Sequence, residues 1–305
     1  MAKTQFVIFN PEGGLGKIIA STALLPGIKA KYPDRKLIVV CTWVEVFVNN
    51  PHVDRAYKTG LTPYFYKDYI ENRDTIILKG EPYYHTDHLY GKQHVIKSWY
   101  NIHDLEYNNQ LPELFFTPNE LHAYKRVAND KDKPILLFQT NGGSYENEKD
   151  YCWTRDFPFE QAQILTNELL KHFTVMQVSR PNCQKLQGAE WVNDVPNKRT
   201  LLGLLTVSSK RLLIDSCLQH GAAALQLPST VCWIGTSPDV FGYEMHNNVL
   251  PNLPVRSKGK GAHGIDSLFF DYEFTGPEHE FPYESMDVFD LQTLYDQLTS
   301  ATNLV

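Results

Sequence analysis

The sequence predicts an α/β fold of parallel sheets flanked by helices, and three observations predict it. Short apolar, β-branched runs bounded by turn residues recur along the chain, patterns of helical period lie between them, and the two alternate from end to end. The expected strands are Phe6 to Phe9, Leu37 to Cys41, Thr75 to Leu78, Ile135 to Gln139, Thr174 to Val178, Arg211 to Ile214 and Thr230 to Ile234. The expected helices are Lys17 to Lys31, closed by Tyr32-Pro33-Asp34, then Phe159 to His172, Leu201 to Ser208, Ser216 to Gln226, stopped near Pro228, and Val288 to Leu298. A polar, charged stretch, Ala128 to Pro134, interrupts this rhythm before a fresh strand begins, which divides the chain into expected domains at residues 1–130 and 131–305.

A chain of 305 residues can build two cores of ordinary size. Hydrophobic and charged contents of 42% and 21% are those of a soluble globular protein, and no run approaches the roughly 18 to 20 apolar residues that a membrane helix needs. The N-terminus enters a strand-like run without a basic leader, so the expected location is the cytoplasm, a host cytoplasm if the protein is viral. Five cysteines, Cys41, Cys152, Cys183, Cys217 and Cys232, form no C-x-x-C pair and read as reduced packing residues. The net charge of −6 argues against a protein that coats nucleic acid, and the acidic excess lies in the second half. The first half holds most of the tyrosines.

The loop after the first strand, Asn10-Pro-Glu-Gly-Gly-Leu-Gly-Lys17, looks like a phosphate loop but departs from both known patterns. A P-loop requires glycine at Pro11 and a hydroxyl at Ile18. A dinucleotide fingerprint starting at Gly14 and Gly16 requires a small residue at Ile19. What remains is a permissive turn of Gly13, Gly14 and Gly16 leading from a strand into a helix, where backbone can approach a ligand closely. An ordinary tight turn is the plain alternative.

The second half carries a sharper signal. Asp215-Ser216-Cys-Leu-Gln-His220-Gly-Ala-Ala-Ala places an Asp-Ser pair at a strand end, with Ser216 as helix N-cap and exposed amides suited to phosphate. Two further strand ends point to the same edge: Thr140-Asn141-Gly142-Gly143-Ser144 offers hydroxyls and amides, and Ser179-Arg180 offers a guanidinium, as does Arg155.

These segments resemble the heptosyltransferases, glycosyltransferase family 9. The resemblance runs through Gly14 to Asp34, Asn49-Asn50-Pro51-His52-Val53-Asp54, Thr140 to Gly143, Trp153 to Pro158 and Asp215 to Gly242, in order over nearly the whole chain. It implies a GT-B architecture of two Rossmann-like domains facing a central cleft, the first binding acceptor and the second a nucleotide-sugar donor. The implied chemistry is direct, inverting displacement at the anomeric carbon, with Thr140 to Gly143, Arg155, Arg180, Asp215, Ser216 and His220 on the donor side. The leaving diphosphate is then stabilised by amides and Arg155, with no cofactor and no metal. The only D-x-D, Asp130-Lys131-Asp132, reads as a solvated charge run. Thr200 is read either as a nucleoside contact or as a helix N-cap.

One departure matters. The family usually carries Gly-Asp where this chain has Gly16-Lys17, and that aspartate is the expected general base. Glu12, the nearest carboxylate in sequence, is the candidate base, and Lys17 is a candidate contact for an anionic part of donor or acceptor. The acceptor is expected to be a glycan or lipopolysaccharide core hydroxyl, with the aromatic stretches Tyr64 to Tyr69 and Tyr83 to His94 available to pack on rings. Two alternatives stay open. One is arabinosyl or glucosyl transfer to hydroxymethylated bases of phage DNA, with the Arg256, Lys258 and Lys260 loop against phosphates. The other is a nucleotide-sugar-binding protein without turnover.

Overall fold

The computed structural model describes residues 5–60, 62–142, 155–192, 197–252 and 288–300. Two sheets form, and every strand pairing in them is parallel. The first is built from β1 (Gln5–Phe9), β2 (Lys36–Cys41), β3 (Arg55–Lys58) and β4 (Asp74–Leu78), in the order β3-β2-β1-β4. The second is built from β5 (Ile135–Gln139), β6 (Thr174–Val178), β7 (Glu190–Val192), β8 (Lys210–Ile214), β9 (Thr230–Cys232) and β10 (Asn247–Val249), in the order β10-β9-β8-β5-β6-β7.

In both sheets the chain runs outward in one direction and then returns to the starting strand to run the other way. The second sheet therefore has the strand order typical of dinucleotide-binding folds, 3-2-1-4-5-6 when counted from β5. The reversal leaves a crevice at the carboxyl ends of β1 and β4, and another at those of β5 and β8. Those crevices are where such sheets bind ligands.

The expected strands all form, and β3, β7 and β10 are additional. Each of these three is an edge strand of three or four residues and only partly buried. With one side open to water they carry no apolar run, the signal by which the inner strands announce themselves. The single helix expected over Lys17 to Lys31 is divided into α1 (Leu15–Ser21), a 3₁₀ turn (Thr22–Leu24) and α2 (Leu25–Lys31). Pro26 has no N–H to give the Thr22 carbonyl, and the Ser21 and Thr22 hydroxyls bond back to the Ile18 and Ile19 carbonyls at 2.7 Å, which bends the helix there.

The helices that follow are α3 (Phe65–Tyr69), α4 (Thr86–Leu89), α5 (Val95–Ile102), α6 (Pro118–Asn129), α7 (Phe159–Leu169), α8 (Lys198–Val207), α9 (Cys217–Ala224), α10 (Pro238–Phe241) and α11 (Leu291–Thr299). Asp130 caps the end of α6, and Lys131 pairs with Glu190 at 2.7 Å, so the D-x-D segment is tied to surface structure.

Alternation along β1 divides its side chains between two cores. Val7 and Phe9 join a large cluster with Ile18, Leu24, Trp99, Leu205, Leu218 and Trp233, so that one apolar core runs from the first sheet into the second. Phe6 and Ile8 point to the far face, against Ile38 and Tyr69. The stretch Tyr64 to Tyr69 belongs to that far side, where Tyr64 and Tyr66 stand exposed. On the outer face of the second sheet, Val288, Phe289 and Leu294 pack with Phe138, Phe157 and Leu165.

Candidate active site

The two crevices approach each other through α1 and α9. A Cβ at Gly16 would lie 3.0 Å from His220 Cδ2 and 3.2 Å from Cys217 Cα, so only glycine lets these helices pack this closely. On the second sheet, the turn after β5 and the strand end of β8 are also in contact, since a Cβ at Gly142 would meet the Ser216 hydroxyl at 3.2 Å. Thr140, Asn141, Gly142, Asp215, Ser216 and Gly16 are thereby gathered around the start of α9.

An internal ion pair holds the Thr140–Gly142 turn. Arg180 and Asp156 are both buried and meet at 3.0 Å. Asp156 accepts the Gly142 amide at 2.9 Å and the Asn141 side-chain amide at 3.1 Å, and Arg180 donates to the Gly142 carbonyl. Thr140 accepts from Gln177 at 3.0 Å and donates to Asn141 at 2.9 Å. Arg180 thus shapes the turn from behind. Gly143 and Ser144 lie outside the described residues.

Ser216 occupies the N-cap position of α9 with extended backbone, yet its side chain makes no capping hydrogen bond. Its hydroxyl faces the Gly142 turn, and the first amides of α9 are left without a cap from it. Asp215 is buried at the end of β8, and burial raises its pKa against the opposing charge of Arg155. His220 lies inside the helix pair. Its Nδ1 meets the Tyr243 hydroxyl at 2.8 Å, and burial lowers its pKa to about 3, so it is a neutral ring at neutral pH. Asn197 caps α8 by accepting the Arg199 amide at 2.9 Å, so the cap reading of Thr200 does not apply, and Thr200 lies in the first turn.

At the first crevice, the Gly13–Gly14 loop faces the segment that follows β4. Gly13 has φ +122°, a conformation that favours glycine. Glu12 is exposed and pairs with Lys79 at 2.9 Å. Lys17 turns inward, ion-paired with Glu81, its ammonium 4.5 Å from the centre of the Tyr83 ring and 6.0 Å from that of Trp99. Glu81 also accepts the Tyr83 amide at 3.1 Å.

Tyr83 stands between the two crevices. Burial raises its pKa, the nearby carboxylates Asp215 and Glu81 raise it further, and Arg155 opposes them. His88 stacks on its ring at 5.2 Å, and Phe241 from the second half meets it edge-on at 5.9 Å. Lys17 from the first crevice and Phe241 from the second half therefore both meet one aromatic ring.

Sequence reasoning named the Tyr83 to His94 stretch but missed Glu81, Asp156 and Arg199. Glu81 was findable, because Lys79-Gly80-Glu81-Pro82 follows an expected strand just as the Gly-rich loop does. Arg199 carries no local signal, since its partners come from distant segments, and Asp156 stands inside the resembling stretch Trp153 to Pro158 with nothing local to show its partner Arg180. The Arg256 to Lys260 loop lies outside the described residues. Among the described residues no three His, Cys, Asp or Glu side chains gather as a metal site, and no helix is long and apolar enough to cross a membrane.

No family model and no curated protein sequence matches the chain. Solved structures do match. Escherichia coli ADP-heptose LPS heptosyltransferase II is similar with a TM-score of 0.62 at 13% identity, over 80% of this chain and 90% of that one. A family 9 glycosyltransferase from Veillonella parvula gives a TM-score of 0.59 at 12% identity, over 81% and 85%. E. coli heptosyltransferase WaaC with ADP-2-deoxy-2-fluoro heptose gives a TM-score of 0.54 at 11% identity, over 85% and 95%. Two parallel sheets whose reversal crevices meet across α1 and α9 are thus the GT-B fold of the heptosyltransferases and of glycosyltransferase family 9.

Proposed function

We propose that the chain is a glycosyltransferase of heptosyltransferase type, moving a sugar from a nucleoside diphosphate donor to an acceptor hydroxyl with inversion. The observation that supports this reading is the packing of Gly142 on Ser216 and of Gly16 on Cys217 and His220, which brings strand ends of the two sheets together around the start of α9. The likeness to a heptosyltransferase described with ADP-2-deoxy-2-fluoro heptose supports the donor class.

In this reading the donor diphosphate lies at the start of α9, where uncapped amides and the dipole favour negative charge. Thr140 to Gly142 line its other side, with Arg180 and Asp156 fixing the turn. As the bond from the anomeric carbon to the diphosphate breaks, Arg155 and these amides meet the growing charge on the leaving oxygen, and we assign no metal to that step. The acceptor enters from the first crevice, beside Glu12, Gly13, Gly14 and Gly16. Free thiols at Cys41, Cys183, Cys217 and Cys232 fit a reducing compartment, and we place the reaction in the cytoplasm.

The test is incubation of the full chain with ADP-heptose and a panel of other nucleoside diphosphate sugars. Acceptors are lipopolysaccharide core and hydroxymethylcytosine DNA, each with and without a chelator. The expected result is release of nucleoside diphosphate with transfer to lipopolysaccharide core, inverted anomeric configuration and no loss on chelation. Transfer only to DNA moves the acceptor to the modified base. Donor binding without turnover on either acceptor overturns the enzyme reading in favour of a binding protein.

A further inference from the structure

We propose that Glu81 is the general base that removes the acceptor hydroxyl's proton, and that the open cavity beside it is the acceptor subsite. The proposal rests on the glycosyltransferase reading above and assigns a group to the step for which Lys17 leaves no carboxylate.

Glu81 follows the carboxyl end of β4, the strand that neighbours β1 across the reversal of the first sheet. It therefore reaches, from the opposite wall of the crevice, the space faced by the loop that precedes Lys17. The ion pair makes this exchange concrete. Lys17 points its ammonium at the Glu81 carboxylate, and the rings of Tyr83 and Trp99 hold the lysine in place. Position 17 thus carries the cation and position 81 the carboxylate.

The carboxylate is also accessible. The Glu81 side chain is 31% exposed, whereas that of Lys17 is 9% exposed. Glu81 lines a surface cavity of about 450 Å³ together with Tyr84, His85, Thr86 and Ile102. Tyr84 is 66% exposed and offers a ring face to a bound acceptor. Glu12, by contrast, is outside this cavity's lining and is paired with Lys79. On the other side, Tyr83, whose amide Glu81 accepts, meets Phe241 of the second half edge-on at 5.9 Å, so the segment that carries Glu81 adjoins the second half.

In the step, the acceptor O–H bond breaks and its proton passes to a Glu81 carboxylate oxygen. The acceptor oxygen forms the new bond to the anomeric carbon, and the carbon–oxygen bond to the diphosphate breaks with its electron pair leaving on that oxygen. Lys17 acts as a positioning residue, fixing the carboxylate that it pairs with.

The experiment compares wild type, Glu81→Gln, Glu12→Gln and Ile102→Trp, using whichever donor and acceptor the wild type turns over. Glutamine still accepts the Tyr83 amide but leaves the nearly buried Lys17 ammonium without its counter-charge, so Glu81→Gln is expected to melt lower than wild type and is assayed below its own transition. It is expected to lose about 100-fold or more in kcat, to keep donor KM within about threefold, and to lose the acidic limb of the rate against pH. Ile102→Trp, which narrows the cavity and keeps the carboxylate in the sequence, is expected to raise acceptor KM about tenfold with donor KM unchanged. It tests the subsite even if Glu81→Gln does not fold. Wild-type turnover with undiminished Glu81→Gln turnover, loss of transfer in Glu12→Gln alone, or an unchanged acceptor KM in Ile102→Trp overturns this proposal and leaves the glycosyltransferase reading standing. Absence of turnover by the wild type with every donor and acceptor overturns both.

Discussion

Arg199 and Glu120 form a two-pronged ion pair, with Nε donating to one carboxylate oxygen at 2.6 Å and Nη2 to the other at 3.0 Å. The same guanidinium reaches the Glu45 carbonyl at 3.0 Å and the Phe115 carbonyl at 2.7 Å, and lies 4.7 Å from the Phe116 ring. One buried side chain at the start of α8 thereby ties together a loop of the first sheet, the segment before α6, and α6 itself.

Arg199→Met is expected to cost about 3 kcal/mol of stability, because it strands two carbonyls and takes the counter-charge from a carboxylate left with its Thr117 hydrogen bonds. Arg199→Lys should recover little of this, since an ammonium cannot span the fork. The Arg199 hydrogen bonds hold the Glu120 pKa down to about 2. A carboxylate with a lowered folded-state pKa stabilises fully above its unfolded value and loses that stability as pH falls through the folded one. Thermal melts between pH 5 and pH 2 should therefore show a steeper acid slope for wild type than for Arg199→Met, and equal slopes would contradict the assignment.

Arg180 and Asp156 predict a loss of another kind. The pair is buried at both ends and its hydrogen bonds include those to the Asn141–Gly142 turn, so Arg180→Met takes the buried counter-charge away from Asp156. Breaking such a pair costs about 3 to 5 kcal/mol. Calorimetric titration with ADP should show weakened binding even at temperatures where the variant is fully folded. Full-strength ADP binding by a folded Arg180→Met would separate this turn from the donor site.

How much of this was legible in the sequence follows from whether the signal is local. The inner strands β1, β5 and β8 are continuous apolar runs because both faces are covered, and Thr140 and Asp215, expected on the donor side, lie where those runs end. The edge strands β3, β7 and β10 are half wet, and their sequences look like loop. Arg180 was read as a phosphate ligand because sequence shows a guanidinium at a strand end, but not the Asp156 carboxylate that engages it. Lys17 was visible as an oddity. Its resolution at Glu81 was not, because that contact depends on β4 lying beside β1.

Gly16→Ala sets two effects against each other. Alanine favours a helix over glycine by up to about 1 kcal/mol, but the new Cβ would press on the Cys217 backbone at 3.2 Å and the His220 ring at 3.0 Å. Overpacking of this kind costs about 1 to 3 kcal/mol, and the backbone cannot turn aside as a side-chain tip can. The clash is expected to win. Melting temperature should fall by a few degrees and donor KM should rise several-fold, whereas a rise in melting temperature would show that α1 and α9 are free to part.

The last prediction concerns acid. His88, His94, His220 and His246 are gathered where α4, α5 and α9 meet the α10 segment, with Phe241 and Tyr243 between them. Burial lowers the pKa of each. His88 reaches about 4, with His94, His85 and Lys17 adding to the effect against the Gln93 carbonyl. His220 reaches about 3, with His94 and His246 adding to it. The shifts of His94 and His246 are opposed by nearby carbonyls, of Gly242 and Phe241 for the first and of Gln219 for the second. A histidine harder to protonate when folded leaves the unfolded chain holding more protons below about pH 6.5, so stability falls as pH falls. At pH 5 the loss is about 2 kcal/mol for each of His88 and His220, and it levels off only below their folded values. Denaturant titrations at pH 7.5 and pH 5 should show this drop. His88→Phe keeps a ring to stack on Tyr83 but cannot bind the proton, and it should make the drop shallower. An equal drop in that variant would place the acid sensitivity outside this cluster.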